Sequence, residues 1–288
     1  MIVRYSSLHL DEMQYVQIAR CYYVLKNEWY DTTPAERHIA ICNCVSKRRK
    51  YLVFTGQSAC AILGIPRLDS IDVRPHCITE KRKGSDFICW RYGKPSSHVE
   101  EIDGIFVVSP LRAILDLGKY DSTYSLLVSI NHCLCKGLFT KQQLFNAIKG
   151  DPNRRWKKVI KRLLPLASNK CESPLETLAW IEINKAGFLI PEQQVNIMEK
   201  QVFKGRVDMY WEVRSRKIIL ELDGKIKYLG QNDLFDEKNR EDELRELGYL
   251  IIRSTWKEVK NGKLIQKLYK ANIPKRKYLK NSVLMKCA

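Results

Sequence analysis

Residues 205–228 read GRVDMYWEVRSRKIILELDGKIKY, and this stretch decides the fold of the C-terminal part of the chain. Two runs in it alternate apolar and polar residues with a period of two, and a short polar link, EVRSR, separates them. Such a pair predicts an antiparallel β-hairpin that is apolar on one face. The opposite face carries three carboxylates, which are Asp208, Glu221 and Asp223.

The expected register of this hairpin brings two of the acids together. If the chain turns at EVRSR, the numbers of paired residues sum to about 428, and Asp208 lies beside or diagonal to Glu221. Facing side chains on paired strands lie roughly 5 Å apart, so the two negative charges repel each other. A divalent cation would remove this repulsion, and Mg²⁺ prefers such oxygen ligands. We therefore expect Asp208, Glu221 and Asp223 to bind Mg²⁺ or Mn²⁺.

Two lysines, Lys225 and Lys227, follow the acids directly after an Asp-Gly turn. Carboxylates that hold a metal and a nearby ammonium group are the parts that phosphodiester hydrolysis requires, because the metal activates water and the lysine positions the nucleophile or assists its deprotonation. The alternative is that the acids only face solvent on a half-exposed sheet. Three acids on one face beside two lysines favour a catalytic site.

The composition indicates a polyanionic partner. The 288 residues include 50 Lys and Arg against 32 Asp and Glu, so the formal net charge is +18. This charge favours nucleic acid, with an anionic membrane surface as the nearest alternative. Because there is no signal-peptide pattern and no long apolar run, we expect a cytoplasmic protein without a membrane span. The ten cysteines lack zinc-finger spacing and are expected to be buried thiols.

The chain is long enough for two domains. We expect an N-terminal mixed α+β domain over residues 1–165, a linker over 165–171, an α/β domain over 172–272 and a basic tail over 273–288. In the N-terminal domain, helices are expected over Leu10–Leu25 and Pro34–Ser46. The second of these helices ends in the basic cluster KRRK at residues 47–50, a pattern typical of a solvated helix C-terminus.

The densest basic patch precedes the linker, on an amphipathic helix that begins near residue 154. Such a patch either grips a phosphate backbone or is only a solvated helix face. The residues expected to contact nucleic acid there are Arg154, Arg155, Lys157 and Lys158.

The α/β domain opens with Ser173-Pro174-Leu175-Glu176. This pattern predicts a capping box, in which Ser173 caps a helix and Glu176 reaches back to it. The order of elements that follows is three strands, a charged helix, an apolar strand and a last helix. We expect an α/β fold with a mixed sheet flanked by helices.

The strings ESPLE, PEQQVNI, GRVDMYW and IILELDGKIKY, followed by GYLIIRSTW, resemble the very-short-patch-repair-like endonuclease domains, a branch of the PD-(D/E)xK nuclease superfamily. The resemblance covers roughly residues 172–270 and implies a restriction-endonuclease-like fold. It also implies that Asp208 and Glu221 are metal ligands, with Asp223 and Glu176 as further acids of the site. Gln194 and Arg240 match polar positions that line such sites, and Arg240 is expected to contact nucleic acid.

The sequence departs from the superfamily signature at one position, because Asp223 stands where a lysine is usual. Lys225 or Lys227 would then supply the positive charge from beyond the strand. The residues alone do not decide which of the two lysines does so.

The N-terminal part is similar to antitoxin-like proteins of the AbiEi type in the strings RCYYV, TTPAERHIAI, FTGQSACAILGIP and VVSPLRAILDL. Only some twenty residues precede the first of these strings, which is too short for a complete winged helix. We therefore assign no base reading to this part. Its expected task is to hold DNA or a partner protein encoded nearby.

Three functions remain open. The first is a Mg²⁺-dependent DNA endonuclease in DNA repair or phage defence, and the retention of all three acids favours it. The second is a non-catalytic DNA-binding regulator of the AbiEi antitoxin type, which uses the nuclease fold as a scaffold. The third is an RNA nuclease, ranked last because no strand offers an exposed aromatic pair for stacking bases. The oligomeric state is open: cutting both strands needs a dimer or two successive events.

Overall fold

The computed structural model describes residues 3–4, 14–49, 51–80, 87–94, 99–150, 154–224 and 231–276, without the side chains of residues 3–4, 150, 154–156 and 231–237. The chain divides into two compact units. The first comprises Met1–Cys133 with Gly137–Lys161, and the second comprises Leu134–Lys136 with Arg162–Ala288. Both units mix helices and strands, so the expected α/β class is confirmed. None of the described helices is long and apolar enough to cross a membrane.

The first unit contains two sheets and most of the helices. One sheet is antiparallel, with the order β1-β3-β2, and the other is mixed, with the order β6-β5-β4-β8-β7. The strands are β1 (Val3–Arg4), β2 (Tyr15–Ala19), β3 (Tyr22–Leu25), β4 (Val53–Phe54), β5 (His76–Thr79), β6 (Cys89–Tyr92), β7 (Val99–Ile102) and β8 (Ile105–Val108). The helices are α1 (Lys26–Asp31), α2 (Pro34–Arg48), α3 (Gly56–Ile62), α4 (Pro110–Leu117), α5 (Thr123–Cys135), α6 (Lys141–Gly150) and α7 (Arg154–Leu163).

One of the helices predicted for this unit is not formed, and another is confirmed. Residues 15–25 form the β2–β3 hairpin, because the runs YVQIA and YYVL are rich in aromatic and β-branched residues. The turn between the two strands places Cys21 at a φ of 65°. The helix expected from Pro34 is α2, and Thr33 forms a capping box with Glu36 at its start.

The second unit is built on one four-stranded mixed sheet with the order β12-β11-β10-β9. Strands β9, β10 and β11 are antiparallel neighbours, and β12 joins β11 in parallel after a helical crossover. The elements are α8 (Pro174–Ala186), β9 (Glu192–Glu199), β10 (Val202–Val213), β11 (Arg216–Asp223), α9 (Gln231–Glu246), β12 (Tyr249–Thr255), α10 (Trp256–Lys260) and α11 (Lys263–Lys270).

The predicted hairpin is β10–β11, and its turn is tighter than expected. Only Arg214 and Ser215 lie between the strands, both with positive φ (49° and 65°), as a type I′ turn requires. The paired numbers sum to 429, as in Met209 with Leu220. Continued by one position, this register sets Asp208 opposite Glu221.

Both faces of β11 are covered at the centre of the strand. Three successive residues of the strand are fully buried, which are Ile218, Ile219 and Leu220. On the acid-bearing face, Ile219 packs with Leu244 of α9 and with Ile251 of β12. The acids of β10 and β11 therefore stand next to a packed apolar layer rather than on an open surface.

The segment expected as a linker belongs to the second unit. Ala167 and Cys171 are buried, and the Ser168 hydroxyl donates a hydrogen bond of 2.6 Å to the Gln193 side chain. The division between the two units falls after residue 161, inside α7. At the other end, residues 273–276 still pack in this unit, through a bridge between Phe188 and Lys275. The rest of the expected basic tail lies outside the described residues.

Leu244→Ala should destabilise the second unit by about 2–5 kcal/mol, because it removes a buried side chain that joins α9 to the sheet. Leu250→Ala, the same truncation at a residue that is 42% exposed on β12, should cost less than about 1 kcal/mol. Urea unfolding followed by circular dichroism measures both. Equal destabilisation would contradict the packing described for α9.

Candidate functional site

The backbone pairing of the β10–β11 hairpin stops one position before Asp208 and Glu221. The β10–β11 backbone ladder ends at the pair of Met209 and Leu220. Beyond it, the Asp208 carboxylate accepts a hydrogen bond of 2.8 Å from the Leu222 backbone N–H. A side-chain oxygen thus replaces the backbone carbonyl that would otherwise continue the ladder. This bond fixes the Asp208 carboxylate against β11, on the strand that carries Glu221.

A second layer of polar groups lies behind Asp208. Glu176 of α8 is only 6% exposed, and its carboxylate accepts hydrogen bonds of 2.9 Å from the Gln194 amide and from the Glu172 backbone N–H. Hydrogen bonding by the Gln194 side chain also lowers the pKa of Asp208, and the Gln194 backbone, within β9, has a φ of 53°. Gln194 therefore links Glu176 to Asp208.

The predicted capping box is half correct. Ser173 caps α8 by accepting a hydrogen bond of 3.1 Å from the Glu176 backbone N–H. The Glu176 carboxylate bonds to the Glu172 N–H and to Gln194 rather than to the Ser173 backbone N–H. Because the carboxylate is bound to Gln194, its role is tied to the acid site as well as to the helix.

Two arginines are paired with the acids of β11. Arg240 of α9 forms an ion pair of 3.0 Å with Glu221, and Arg253 of β12 forms one of 3.3 Å with Asp223. The parallel register sets Arg253 directly beside Glu221. Arg253 also pairs with Glu241 at 2.9 Å. The acids thus have cationic partners from two elements that follow them in the chain.

Gly205 makes room for the Arg240 side chain. A Cβ atom at this glycine would lie 3.0 Å from a guanidinium nitrogen of Arg240, and the backbone φ of +148° is one that other residues rarely adopt. The G of the GRVD string is therefore needed for close approach of the arginine. Arg240 was expected to contact nucleic acid, and that contact stays a prediction.

The environment raises the pKa of three acids of the site, Asp208, Glu221 and Glu176. Burial, and then the neighbouring Asp208 charge, raise the pKa of Glu221 to about 7. Burial also raises the pKa of Asp208 and of Glu176 above the ordinary range. A carboxyl whose pKa is raised in this way is stabilised in its charged form when a cation binds to it. The donor set is all oxygen, which fits a hard cation such as Mg²⁺ or Mn²⁺.

The acids do not converge fully in this structure. Among the described residues, only one group of three or more His, Cys, Asp or Glu side chains has all its ligand atoms within 4.8 Å of one another, and Asp208, Glu221 and Asp223 do not form it. Glu221 and Asp223 are instead each paired with an arginine. A cation would have to compete with Arg240 and Arg253 for these oxygens.

Some expected site residues are not described. Lys225 and Lys227 lie in residues 225–230, outside the described part, so their catalytic role stays a prediction. In α7 the side chains of Arg154 and Arg155 are likewise not described, whereas Lys157 is half-buried and Lys158 is exposed. The apolar side of that helix is confirmed, because Ile160 and Leu163 are buried. Phosphate binding by α7 stays a prediction.

A second cluster, in the first unit, was missed by the sequence reasoning. Asp72, His76 and Cys89 have ligand atoms within 4.8 Å of one another, because the parallel β5–β6 register pairs His76 with Cys89. Their sequence spacing follows no metal motif, so only the strand pairing could reveal them.

Two arginine side chains contact this second cluster. Arg91 lies 3.1 Å from the His76 ring, and Arg74 pairs with Asp72 at 3.0 Å. Burial and the Arg91 charge lower the pKa of His76 to about 3. We describe Asp72, His76 and Cys89 as a polar cluster that Arg74 and Arg91 contact, and we propose no function for it.

Comparison with known proteins finds two relatives and no family. No protein-family model matches the chain, and no solved structure matches it. Over 156 residues, or 54% of this chain, it is 22% identical to uncharacterized protein Rv2248 of Mycobacterium tuberculosis strain H37Rv and to uncharacterized protein MT2308 of strain CDC 1551. The chain spans about half the length of these relatives, 57% in each case.

Without metal, Glu221 should contribute a loss of stability as the pH rises from about 4.5 through about 7. The buried His38 and His76, whose pKa values are lowered, contribute in the opposite direction, so the Glu221 contribution is the difference between the parent protein and its variant. The folded state keeps a proton on Glu221 up to a pKa of about 7, whereas the unfolded state releases it near the ordinary value of 4.5. Glu221→Gln should remove up to about 3 kcal/mol of this loss. Urea unfolding in EDTA, at about pH 5 and about pH 8, measures it.

The matched control for this measurement is Glu212→Gln, which changes an exposed acid on the same hairpin. It should keep the pH dependence of the parent protein. If Glu221→Gln keeps it too, Glu221 titrates near its ordinary pKa and the described burial of its carboxyl is wrong.

Proposed function

We propose that the chain is a metal-dependent DNA endonuclease that hydrolyses phosphodiester bonds. The observation that carries the proposal is the position of Asp208, whose carboxylate is bonded to the Leu222 N–H at the point where β10 and β11 separate. It stands there opposite Glu221, whose pKa is raised to about 7 by burial and by Asp208 itself. The resemblance of residues 172–270 to very-short-patch-repair-like endonuclease domains points to the same two acids.

Asp208 and Glu221 would hold Mg²⁺ or Mn²⁺, with Asp223 as a further ligand. When bound, the metal supplies a water of lowered pKa and positive charge against the transferred phosphate. Gln194 and Glu176 orient the Asp208 carboxylate through their hydrogen bonds. Their role is positioning, because neither is needed to touch the reacting atoms.

The two arginines have a second use in this proposal. Arg240 and Arg253 neutralise Glu221 and Asp223 in the free protein. Guanidinium groups bind phosphate oxygens as readily as they bind carboxylate oxygens. When nucleic acid binds, each arginine would exchange its carboxylate for a phosphate and release the acid for the metal. Lys225 or Lys227 would supply the remaining positive charge near the scissile bond.

One observation favours the alternative function, a non-catalytic DNA-binding regulator of the AbiEi antitoxin type. The acids are paired with arginines, and no three of their oxygens converge within 4.8 Å in the described part of the chain. In a scaffold without turnover, such ion pairs would simply stabilise the sheet. The biological setting of either function, such as DNA repair, phage defence or action with a partner protein, belongs to the proposal as well.

Asp208→Asn and Glu221→Gln should each reduce metal-dependent cleavage of a supercoiled plasmid at least 100-fold, since each removes a charge that the metal needs. The asparagine side-chain oxygen can still accept the Leu222 N–H, so the fold should be kept. The assay compares Mg²⁺, Mn²⁺ and EDTA, and scores nicked and linear products. Glu212→Gln, an exposed acid on β10, is the matched control and should cut at the parent rate.

Two results would contradict the proposal. Cleavage by the Asp208→Asn protein at the parent rate would move the site elsewhere. A plasmid that is bound by every protein but never cut, in any metal, would support the regulator instead.

Replacing Lys157 and Lys158 with glutamine should weaken binding to all DNA sequences alike. Two lost phosphate contacts should also reduce the slope of log affinity against log salt by about 2. Filter binding at several salt concentrations measures both effects. If the affinity and the slope do not change, α7 is only a solvated basic face.

A further inference from the structure

A cleft in the first unit, away from the acids discussed above, combines an apolar floor with a basic rim. It has a volume of about 390 Å³ and lies between β2, the C-terminal end of α2 and the segments around residues 73–75 and 87–88. Ile41 and Ile88 are buried at its floor, while Val73 and Phe87 are 71% and 62% exposed at its edge. Such an exposed apolar edge beside a cleft is typical of a binding site.

Three exposed arginines lie on the rim of this cleft, Arg20, Arg48 and Arg49. In the described part of the chain, none of them pairs with a carboxylate. Arg48 donates a hydrogen bond of 3.1 Å to the backbone carbonyl of Arg20, and the Arg49 guanidinium lies 5.8 Å from the centre of the Trp90 ring. These contacts hold the Arg48 and Arg49 guanidinium groups near the cleft, and neither contact involves a carboxylate.

None of the described residues that line the cleft is acidic. A fourth arginine, Arg74, also lines the cleft but is paired with Asp72 at 3.0 Å. A helix C-terminus favours the cations of the KRRK cluster, but it does not account for Arg20, which lies in the turn between β2 and β3. A group of like charges on one cleft is costly unless a polyanion binds there.

We propose that this cleft binds a single-stranded segment of nucleic acid. The arginines would contact successive phosphates, and an unpaired base would lie on the apolar floor beside Phe87. Aromatic and apolar surfaces that receive bases, flanked by cations that follow the backbone, are the general means of binding single strands. A base inside a duplex is stacked and paired, so it cannot reach the floor of the cleft.

A strand with unpaired bases would then be the substrate class of the proposed endonuclease. Only this link to cleavage rests on the proposed function, because binding at the cleft can be measured without it. The RNA nuclease was ranked last among the three functions because the sequence offered no recognisable aromatic pair for stacking bases. The structure places Phe87 beside the cleft, and Tyr92, on β6, is 75% exposed. Arg48 and Arg49 of the basic cluster thereby gain a role beyond a solvated helix end.

The test uses the full chain carrying Asp208→Asn, so that no cleavage interferes. Fluorescence anisotropy measures binding to a labelled single-stranded DNA of about twenty nucleotides and to the matching duplex, at several salt concentrations. The cleft variant adds Arg20→Gln and Arg48→Gln. The matched control adds Lys141→Gln and Lys149→Gln, two exposed lysines on α6 in the same unit. Thermal unfolding checks that both variants are folded.

The cleft variant should lose about tenfold in affinity for the single strand at fixed salt, with the salt slope reduced by about 1.4 because each lost contact contributes about 0.7. The control should lose less than threefold. Phe87→Ala should weaken binding to the single strand several-fold and leave binding to the duplex unchanged.

Equal losses in the cleft variant and the control would overturn the proposal, and so would equal losses for single strand and duplex. These results are independent of catalysis. If the plasmid is cut but the cleft variant binds single strands normally, the nuclease proposal holds and the cleft proposal is wrong. If the cleft binds single strands but no plasmid is cut, the cleft proposal holds and the nuclease proposal is wrong.

Discussion

The hydrogen bond from the Leu222 N–H to the Asp208 carboxylate is the contact on which the second unit's site depends. The tight turn at Arg214 and Ser215 fixes the register of β10 and β11, and the register decides which residue stands at the end of the ladder. There a side chain takes the place of a backbone acceptor. A buried acid is thus held beside Glu221 without any loop having to position it.

This arrangement has an electrostatic cost that the rest of the unit offsets. Buried carboxylates that face each other hold their protons more tightly, as the pKa of about 7 for Glu221 shows. Arg240 and Arg253 offset part of the repulsion, and Gln194 offsets another part by hydrogen-bonding Asp208 and Glu176. The site is therefore stable without a cation, and under the proposed function a bound cation would relieve the remaining repulsion. That balance suits a site that acts only when a metal and a phosphate arrive together.

The sequence predicted those parts of the site that depend on local pattern. Period-two alternation located β10 and β11 and placed Asp208 beside or diagonal to Glu221, and the Ser173 cap located the start of α8. The arginine partners could not be predicted, because they depend on the parallel pairing of β12 and on the packing of α9. The helix expected over residues 10–25 was wrong, because the aromatic and β-branched runs at 15–25 form a hairpin. The cluster of Asp72, His76 and Cys89 depends on strand pairing in the same way.

The most direct test of the central claim is the number of Mn²⁺ ions held by the protein, measured by electron paramagnetic resonance at about pH 8 with a short DNA present. The account predicts that the parent protein removes Mn²⁺ from the free signal and that Asp208→Asn does not, while the exposed-acid control Glu212→Gln behaves like the parent. Equal Mn²⁺ binding by the parent protein and Asp208→Asn would contradict it. The paired acids would then be a structural feature of the sheet.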